Sequence, residues 1–195
     1  HMPCDFLRLE YGSTRVCFNV CALGEIKFNP KGYEIKSDDL KKVKEKLSGL
    51  KENDILVMSG SLPPGCPDRI YADIMREAEG RGIKFIVDAI GNTLICAAKE
   101  KPFLVKPNVN ELFEAFGTSV KAEEKQIEMY AHKLKDIGAQ NVLVSMGERG
   151  AMLLSDEGKT YMCCAPVVNA VNTVGAGDAL VAGFIYGCSV LENYS

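Results

Sequence analysis

The chain has 195 residues, 47% of them apolar and 25% charged, with a formal net charge of -3. A chain of this length can bury a core of its own, and its mild acidity excludes the basic surface that nucleic acid or anionic lipid would demand. No apolar run reaches the roughly 18 residues of a membrane-crossing helix, and no stretch reads as a secretory leader. No membrane and no nucleic-acid partner is expected, and the expected location is the cytoplasm. His1-Met2 reads as a remnant of cloning and is set aside.

In chain order, Thr14–Val20 and Glu25–Phe28 read as strands with no helix between them, a small β appendage. Ser37-Asp38-Asp39-Leu40 caps a helix to about Leu47, because short polar side chains accept from the free amides of a first turn. Residues 54–59 form a short apolar run ending at Gly60, which fits a buried parallel strand. Pro67 opens a helical pattern through about Glu79, stopped by Gly80 and Gly82. Lys84–Asp88 is a second strand, Asn92–Lys99 a short helix, and Phe103–Val105 a third strand leading into Lys106-Pro107-Asn108. Asn108–Phe116 and Glu123–Ile137 read as helices, and Asn141–Ser145 as a fourth strand. Beyond Gly150, Ala151–Ser155 and Lys159–Cys164 flank Asp156-Glu157-Gly158 as a β-hairpin.

Strands alternating with helices imply an α/β fold, a doubly wound and mainly parallel sheet with helices on both faces. The domain reading is a small β appendage over residues 1–36 and an α/β domain over 37–195. Ligands of such sheets bind beyond the carboxyl ends of the strands. That rule selects Ser59-Gly60-Ser61, Lys106-Pro107-Asn108, Ser145-Met146-Gly147 and the turn Gly175-Ala176-Gly177-Asp178 as one expected rim. The eight cysteines sit mostly among apolar neighbours without metal-ligand spacing, so small buried hydrophobes are the expectation.

The glycine turn carries the chemistry. Small residues let a ligand approach the backbone, and the free amides at a helix N-terminus form an anion hole. Asp178 falls in the first turn, where the dipole favours a carboxylate by roughly 0.3–1 kcal/mol. A carboxylate beside an anion hole suits phosphoryl transfer, which needs a base for the nucleophile and donors for charge on the transferred group. The plain alternative is a tight turn followed by an ordinary first-turn acid. Neither a Walker loop nor a dinucleotide fingerprint occurs in the sequence, and no G-x-S-x-G elbow supports a serine hydrolase using Ser59 or Ser61.

Asn172-Thr173-Val174-Gly175-Ala176-Gly177-Asp178-Ala179 resembles the C-terminal signature of the ribokinase-like (PfkB) carbohydrate kinases. Ser59-Gly60-Ser61-Leu62-Pro63-Pro64-Gly65, Lys106-Pro107-Asn108-Val109-Asn110-Glu111-Leu112 and Val144–Ala151 resemble three further family segments, in the family's order. The resemblance implies ATP and Mg²⁺ as cofactors and a phosphotransferase acting on an alcohol group. Asp178 would be the catalytic base, with Gly175, Ala176 and Gly177 as the anion hole. Lys106, Asn108, Glu111, Ser145 and Gly147 would attend the nucleotide. Asn108 and Glu111 would reach the metal through water, a task that Glu111 can serve with hard oxygen ligands. Arg15 and Ser61 would bind the acceptor, the arginine gripping its phosphate.

Each role has a plainer competitor in the residues themselves. Asn108 and Glu111 make a complete capping box without any metal. Lys106 serves as a solvated strand end, Ser61 as the start of a turn, and Arg15 as a polar residue on a half-exposed strand. The resemblance implies a ketohexose phosphate as acceptor, fructose 1-phosphate first, with tagatose 6-phosphate or fructose 6-phosphate as alternatives. The resemblance makes residues 1–36 a partial β lid and 37–195 an incomplete domain: the family's N-terminal signature and its final helices have no counterpart, so the sequence reads as a piece of a longer chain. A homodimer through the lid strands or an exposed sheet edge is the expected assembly, and a catalytically silent nucleotide-binding piece is the competing reading.

Overall fold

The computed structural model describes residues 4–20, 26–119, 123–168 and 172–191. Its elements are β1 (Phe18–Val20), β2 (Ile26–Phe28), α1 (Ser37–Leu47), β3 (Ile55–Ser59), α2 (Ile70–Glu77), β4 (Lys84–Asp88) and α3 (Gly91–Ala98). There follow β5 (Leu104–Val105), α4 (Val109–Ala115), α5 (Glu124–Ile137), β6 (Asn141–Ser145), β7 (Ala151–Leu154), β8 (Thr160–Cys163) and α6 (Ala176–Leu191). A six-stranded sheet runs in the order β3-β4-β5-β6-β7-β8. Its first four strands are parallel and the β7–β8 hairpin is added antiparallel. The expected α/β fold, mainly parallel with helices on both faces, is what forms.

The strand sequences follow from their place between layers. Phe85, Ile86 and Val87 of β4 are all buried, because a parallel strand covered on both faces has no wet side to alternate toward. Phe85 and Val87 join the large core beneath the helices, with Leu94, Leu112, Ile127 and Leu134. Ile86 points to the opposite face and joins Leu104, Leu143 and Val181 of α6. Helix α5 shows the same logic at period 3.6: its buried residues Ile127, Tyr130, Ala131 and Leu134 recur at i, i+3, i+4 and i+7. Gly138 ends it, its amide returning to Leu134 O.

Several expectations shift at their edges. Helix α2 begins at Ile70 rather than Pro67, because the Ile70 amide bonds Pro67 O in a tighter turn. In α1 the cap is made by Asp39, whose carboxylate accepts from the Lys36 amide at 3.1 Å, and Ser37 is the first helical residue. The first strand is shorter than expected: Thr14–Cys17 has no strand opposite it, and pairing starts at Phe18↔Phe28. Those two rings stack with centroids 4.8 Å apart. The start of the second strand at Glu25 lies outside the described residues, as does Cys21. The β1–β2 ribbon is a sheet separate from the main one.

The cysteines correct the sequence reading. Cys4, Cys17, Cys163 and Cys164 are exposed and Cys66, Cys96 and Cys188 half-buried. Apolar neighbours misled here because Cys17 lies beside the β1–β2 ribbon and Cys163 ends the edge strand β8, where half the positions face water. Among the described residues no helix is long and apolar enough to cross a membrane.

Candidate active site

The parallel register of β3, β4, β5 and β6 places their carboxyl ends along one rim. The rim is stitched by the backbone. Gly60 donates to Asp88 O at 3.2 Å, Lys106 to Val87 O at 2.9 Å, and Ser145 to Pro107 O at 3.1 Å. Tyr71, from α2, donates its hydroxyl to Ser59 O at 3.3 Å and so holds the first turn of the rim to a helix. Sequence reasoning did not select Tyr71, and a phenol in an amphipathic helix carries no signal of that role.

The glycine turn lies over this rim. Gly175 stands at φ +79°, a conformation that favours glycine. The Val174 amide bonds the Asn172 side chain at 3.2 Å, and Ala179 N bonds Gly175 O at 2.9 Å. The Ala176 amide donates to Thr173 O at 3.2 Å. In this conformation the Ala176 amide is committed to closing the turn. Gly177 and Asp178 are within the first turn of α6, where amides have no intrahelical acceptor.

Lys106 comes up beneath this turn. Its residue is 4% exposed, and a Cβ added to Gly177 would stand 3.3 Å from its Nζ. The small residue at position 177 therefore makes room for a buried ammonium. Nζ lies 3.2 Å from Asp88 Oδ1, and the Asp88 side chain is 18% exposed. The reading of Lys106 as a solvated strand end is overturned, since an unpaired ammonium cannot be buried cheaply. Asp88 was missed by the sequence reading, although it ends the second parallel strand and the strand-end rule points to it as much as to its neighbours.

Asp88 and Asp178 share a cleft of about 270 Å³ with Val57, Ser59, Val181, Ala182 and Ile185. Burial pushes the Asp88 carboxyl up, the Lys106 ammonium pulls it back down, and the charge of Asp178 adds a further upward push. Two carboxylates and the first turn of α6 thus converge on one small volume, with the Lys106 ammonium paired to one of the carboxylates.

The remaining residues divide into two groups. Asn108 and Glu111 stand at the start of α4 as a complete capping box: Asn108 N donates to Glu111 Oε2 at 2.8 Å and Glu111 N to Asn108 Oδ1 at 2.9 Å. The backbones of Asn108 and Ser145 are bridged side by side. Just beyond, Gly147 stands at φ +62° with nothing within 4 Å of an added Cβ, so the surface over it is open. Arg15 and Ser61, the two residues expected at the acceptor, are brought together, Arg15 Nη1 donating to Ser61 Oγ at 2.6 Å.

Among the described residues no cluster of three or more His, Cys, Asp or Glu side chains could cage a metal. Mg²⁺ needs none: it keeps its waters and takes one or two carboxylates plus phosphate oxygens. The donor set at Asn108 and Glu111, already tied into the cap, fits such an ion through water.

The pfkB family carbohydrate kinase model matches residues 2–192. The 1-phosphofructokinase of Bacillus subtilis (strain 168) is 38% identical over 178 residues, covering 91% of this chain and 58% of that protein. A D-tagatose-1-phosphate kinase of Bacillus licheniformis is 33% identical over 192 residues, 96% of this chain and 62% of its own length. Among solved structures, phosphofructokinase-2 from Escherichia coli in complex with fructose-6-phosphate superposes with a TM-score of 0.75 at 28% identity. That match covers 84% of this chain and 53% of that one. The tetrameric inhibited form of the same enzyme gives a TM-score of 0.77 at 30% identity, over 84% and 54% of the two chains. The chain spans about three fifths of the length of these curated relatives. With the family model matching nearly end to end and relatives 33% and 38% identical over more than nine tenths of it, this chain belongs to the pfkB family of carbohydrate kinases.

Proposed function

We propose that this chain carries the phosphoryl-transfer machinery of an ATP-dependent kinase for ketohexose phosphates, with fructose 1-phosphate as the first-choice acceptor and fructose 1,6-bisphosphate as product. The observation that carries the reading is the buried Lys106 ammonium against Gly177, paired to Asp88 of the cleft that Asp178 also lines. The names of the relatives support the substrate class.

In this reading the acceptor hydroxyl attacks the γ-phosphorus of ATP in line. Its oxygen forms the new O–P bond, its proton passes to the Asp178 carboxylate, and the bond to the β–γ bridging oxygen breaks to release ADP. The amides of Gly177 and Asp178 hold the charge that spreads over the transferred group, and Lys106 offsets it from below. Ser145 and Gly147 border the nucleotide, and Arg15 with Ser61 receives the acceptor's own phosphate. Asn108 and Glu111 would hold Mg²⁺ through water, and the ion would neutralise charge on the nucleotide phosphates.

The lid is assigned to residues 1–36 and the α/β domain to 37–195, and a homodimer through the lid is the assembly proposed. The exposed, stacked Phe18–Phe28 pair supports it. A cytoplasmic location goes with a reaction that consumes ATP. The competing reading, a silent nucleotide-binding piece, is favoured by Val57, which lines the cleft and is still 41% exposed.

The test is coupled ADP release with MgATP against fructose 1-phosphate, tagatose 6-phosphate and fructose 6-phosphate, for the chain and its Asp178→Asn variant. Sugar-dependent turnover lost in the variant is the expected result. Turnover that survives Asp178→Asn sinks the assignment, and MgATP binding without any turnover moves the chain to the silent reading.

A further inference from the structure

We infer that Asp88 is a positioning residue for the transfer step: it holds the Lys106 ammonium against the underside of the glycine turn. The inference rests on the reaction proposed above and goes beyond the residues that the sequence motifs select.

The backbone brings the two residues together before any side chain acts. Strands β4 and β5 are parallel with Val87 opposite Val105, and Lys106 N continues the ladder to Val87 O at 2.9 Å. Asp88 and Lys106 therefore leave neighbouring strands at the same level. A lysine stem has four rotatable carbons and no preferred direction, so register alone does not aim the ammonium. Aim comes from its contacts. Nζ lies 3.2 Å from Asp88 Oδ1 on one side and faces Gly177 on the other, 3.3 Å from where a Cβ would stand. Only one of the three ammonium protons is needed for Asp88, which leaves donors for a transferred phosphoryl group.

Asp88 also settles a competition. Asp178 lines the same cleft, and its charge is felt at Asp88. Without Asp88, the carboxylate of Asp178 is the alternative partner for Lys106, and a base paired to an ammonium is a poorer proton acceptor. The Asp88 carboxylate thus keeps the cation under the anion hole and away from the base. Asp88 touches neither reacting atom in this account and acts through Lys106.

A double-mutant cycle tests this directly, with kcat and KM for ATP measured for the chain, Asp88→Asn, Lys106→Met and the double variant. Asp88→Asn is expected to lower kcat by roughly 10- to 100-fold, the scale of a misplaced catalytic group, with KM for ATP changed far less. In the Lys106→Met background the same substitution is expected to change kcat by less than about 3-fold, since residues acting as a unit are non-additive. An equal loss in both backgrounds overturns the inference, because Asp88 then acts independently of Lys106.

Lysine side-chain ¹⁵N NMR gives a second readout that needs no turnover. The Lys106 ammonium resonance is assigned by its disappearance in Lys106→Met. It is expected to shift or broaden in Asp88→Asn and to be retained in Asp88→Glu; an unchanged resonance in Asp88→Asn overturns the inference. If Asp88→Asn does not fold, Asp88→Ser takes its place in both measurements, with the same shift or broadening expected and an unchanged resonance again overturning the inference. A chain without turnover in any form counts against the proposed reaction, and the NMR readout then decides the positioning by itself.

Discussion

On one face of the sheet, α1–α5 pack over a core in which Leu94, Leu112, Ile127 and Leu134 are completely buried. On the other, α6 buries Val181 and leaves Tyr186 and Val190 in solvent, with Ile55 and Val57 of β3 exposed beside it. The residues proposed for chemistry gather where α6 meets the rim, Asp178 in its first turn and Lys106 below. Stability and chemistry are therefore carried by different halves of the same sheet. The densely packed half fixes the strands whose ends build the site, and the lightly packed half supplies the helix that closes it. Local stability follows buried apolar contacts, so opening at α6 is expected at lower free energy than opening around α3 and α4.

The largest expected effect falls on the packed half. Leu94→Ala removes a side chain with no exposure at all and is expected to cost about 3 kcal/mol, within the range for fully buried leucines; denaturant unfolding measures it. A cost below about 1 kcal/mol would mean that this core is no firmer than the other.

A smaller effect is expected at the hinge between the halves. Gly175→Ala meets no neighbouring atom within 4 Å but places a side chain at φ +79°, an expected cost of about 1–2 kcal/mol. Because the penalty is in the backbone, nucleotide affinity should fall together with the melting temperature. A variant as stable as the parent would place the turn outside the left-handed region.

A pH comparison isolates the buried acid. The folded-state pKa of Asp88 is raised, with burial as the largest cause, so the folded chain holds that proton more tightly than the unfolded one. Its favourable contribution is present below the ordinary carboxyl value of about 3.9 and is lost as pH rises through the raised folded value. The melting-temperature difference between Asp88→Asn and the parent should therefore move in the variant's favour from pH 4 upward and then level off. A difference that moves the other way would mean that Lys106 outweighs burial at this site.

The smallest effect is expected on the open half. Tyr186→Ser alters an exposed ring on α6 and should change stability by no more than about 0.5 kcal/mol. A loss well above that would show that α6 is covered in solution.

Much of the architecture was legible in the sequence because the two periodicities are written into apolar spacing. Lys84–Asp88 and Asn141–Ser145 form strands with the bounds expected, and α5 starts within one residue of the expected Glu123 and ends at Ile137 as expected. Helix α4 was legible down to its cap, since the Asn108–Glu111 box is a local interaction between residues three apart. The cysteines were misread because apolar neighbours in sequence do not report which strand lies at an edge. Asp88 was passed over because it belongs to no motif that was recognised, and its partner is far along the chain.

Local spacing thus determined the elements, their order, and the glycine turn with an acid in its first turn, because capping, turn geometry and amphipathic periodicity act over a few residues. Only the tertiary structure decided that Lys106 is buried, that Asp88 is the carboxylate beside it, that Gly177 makes room for the ammonium, and that Arg15 meets Ser61. Those relations depend on parallel register and on the exclusion of water between layers, and both come into being only when distant segments of the chain pack.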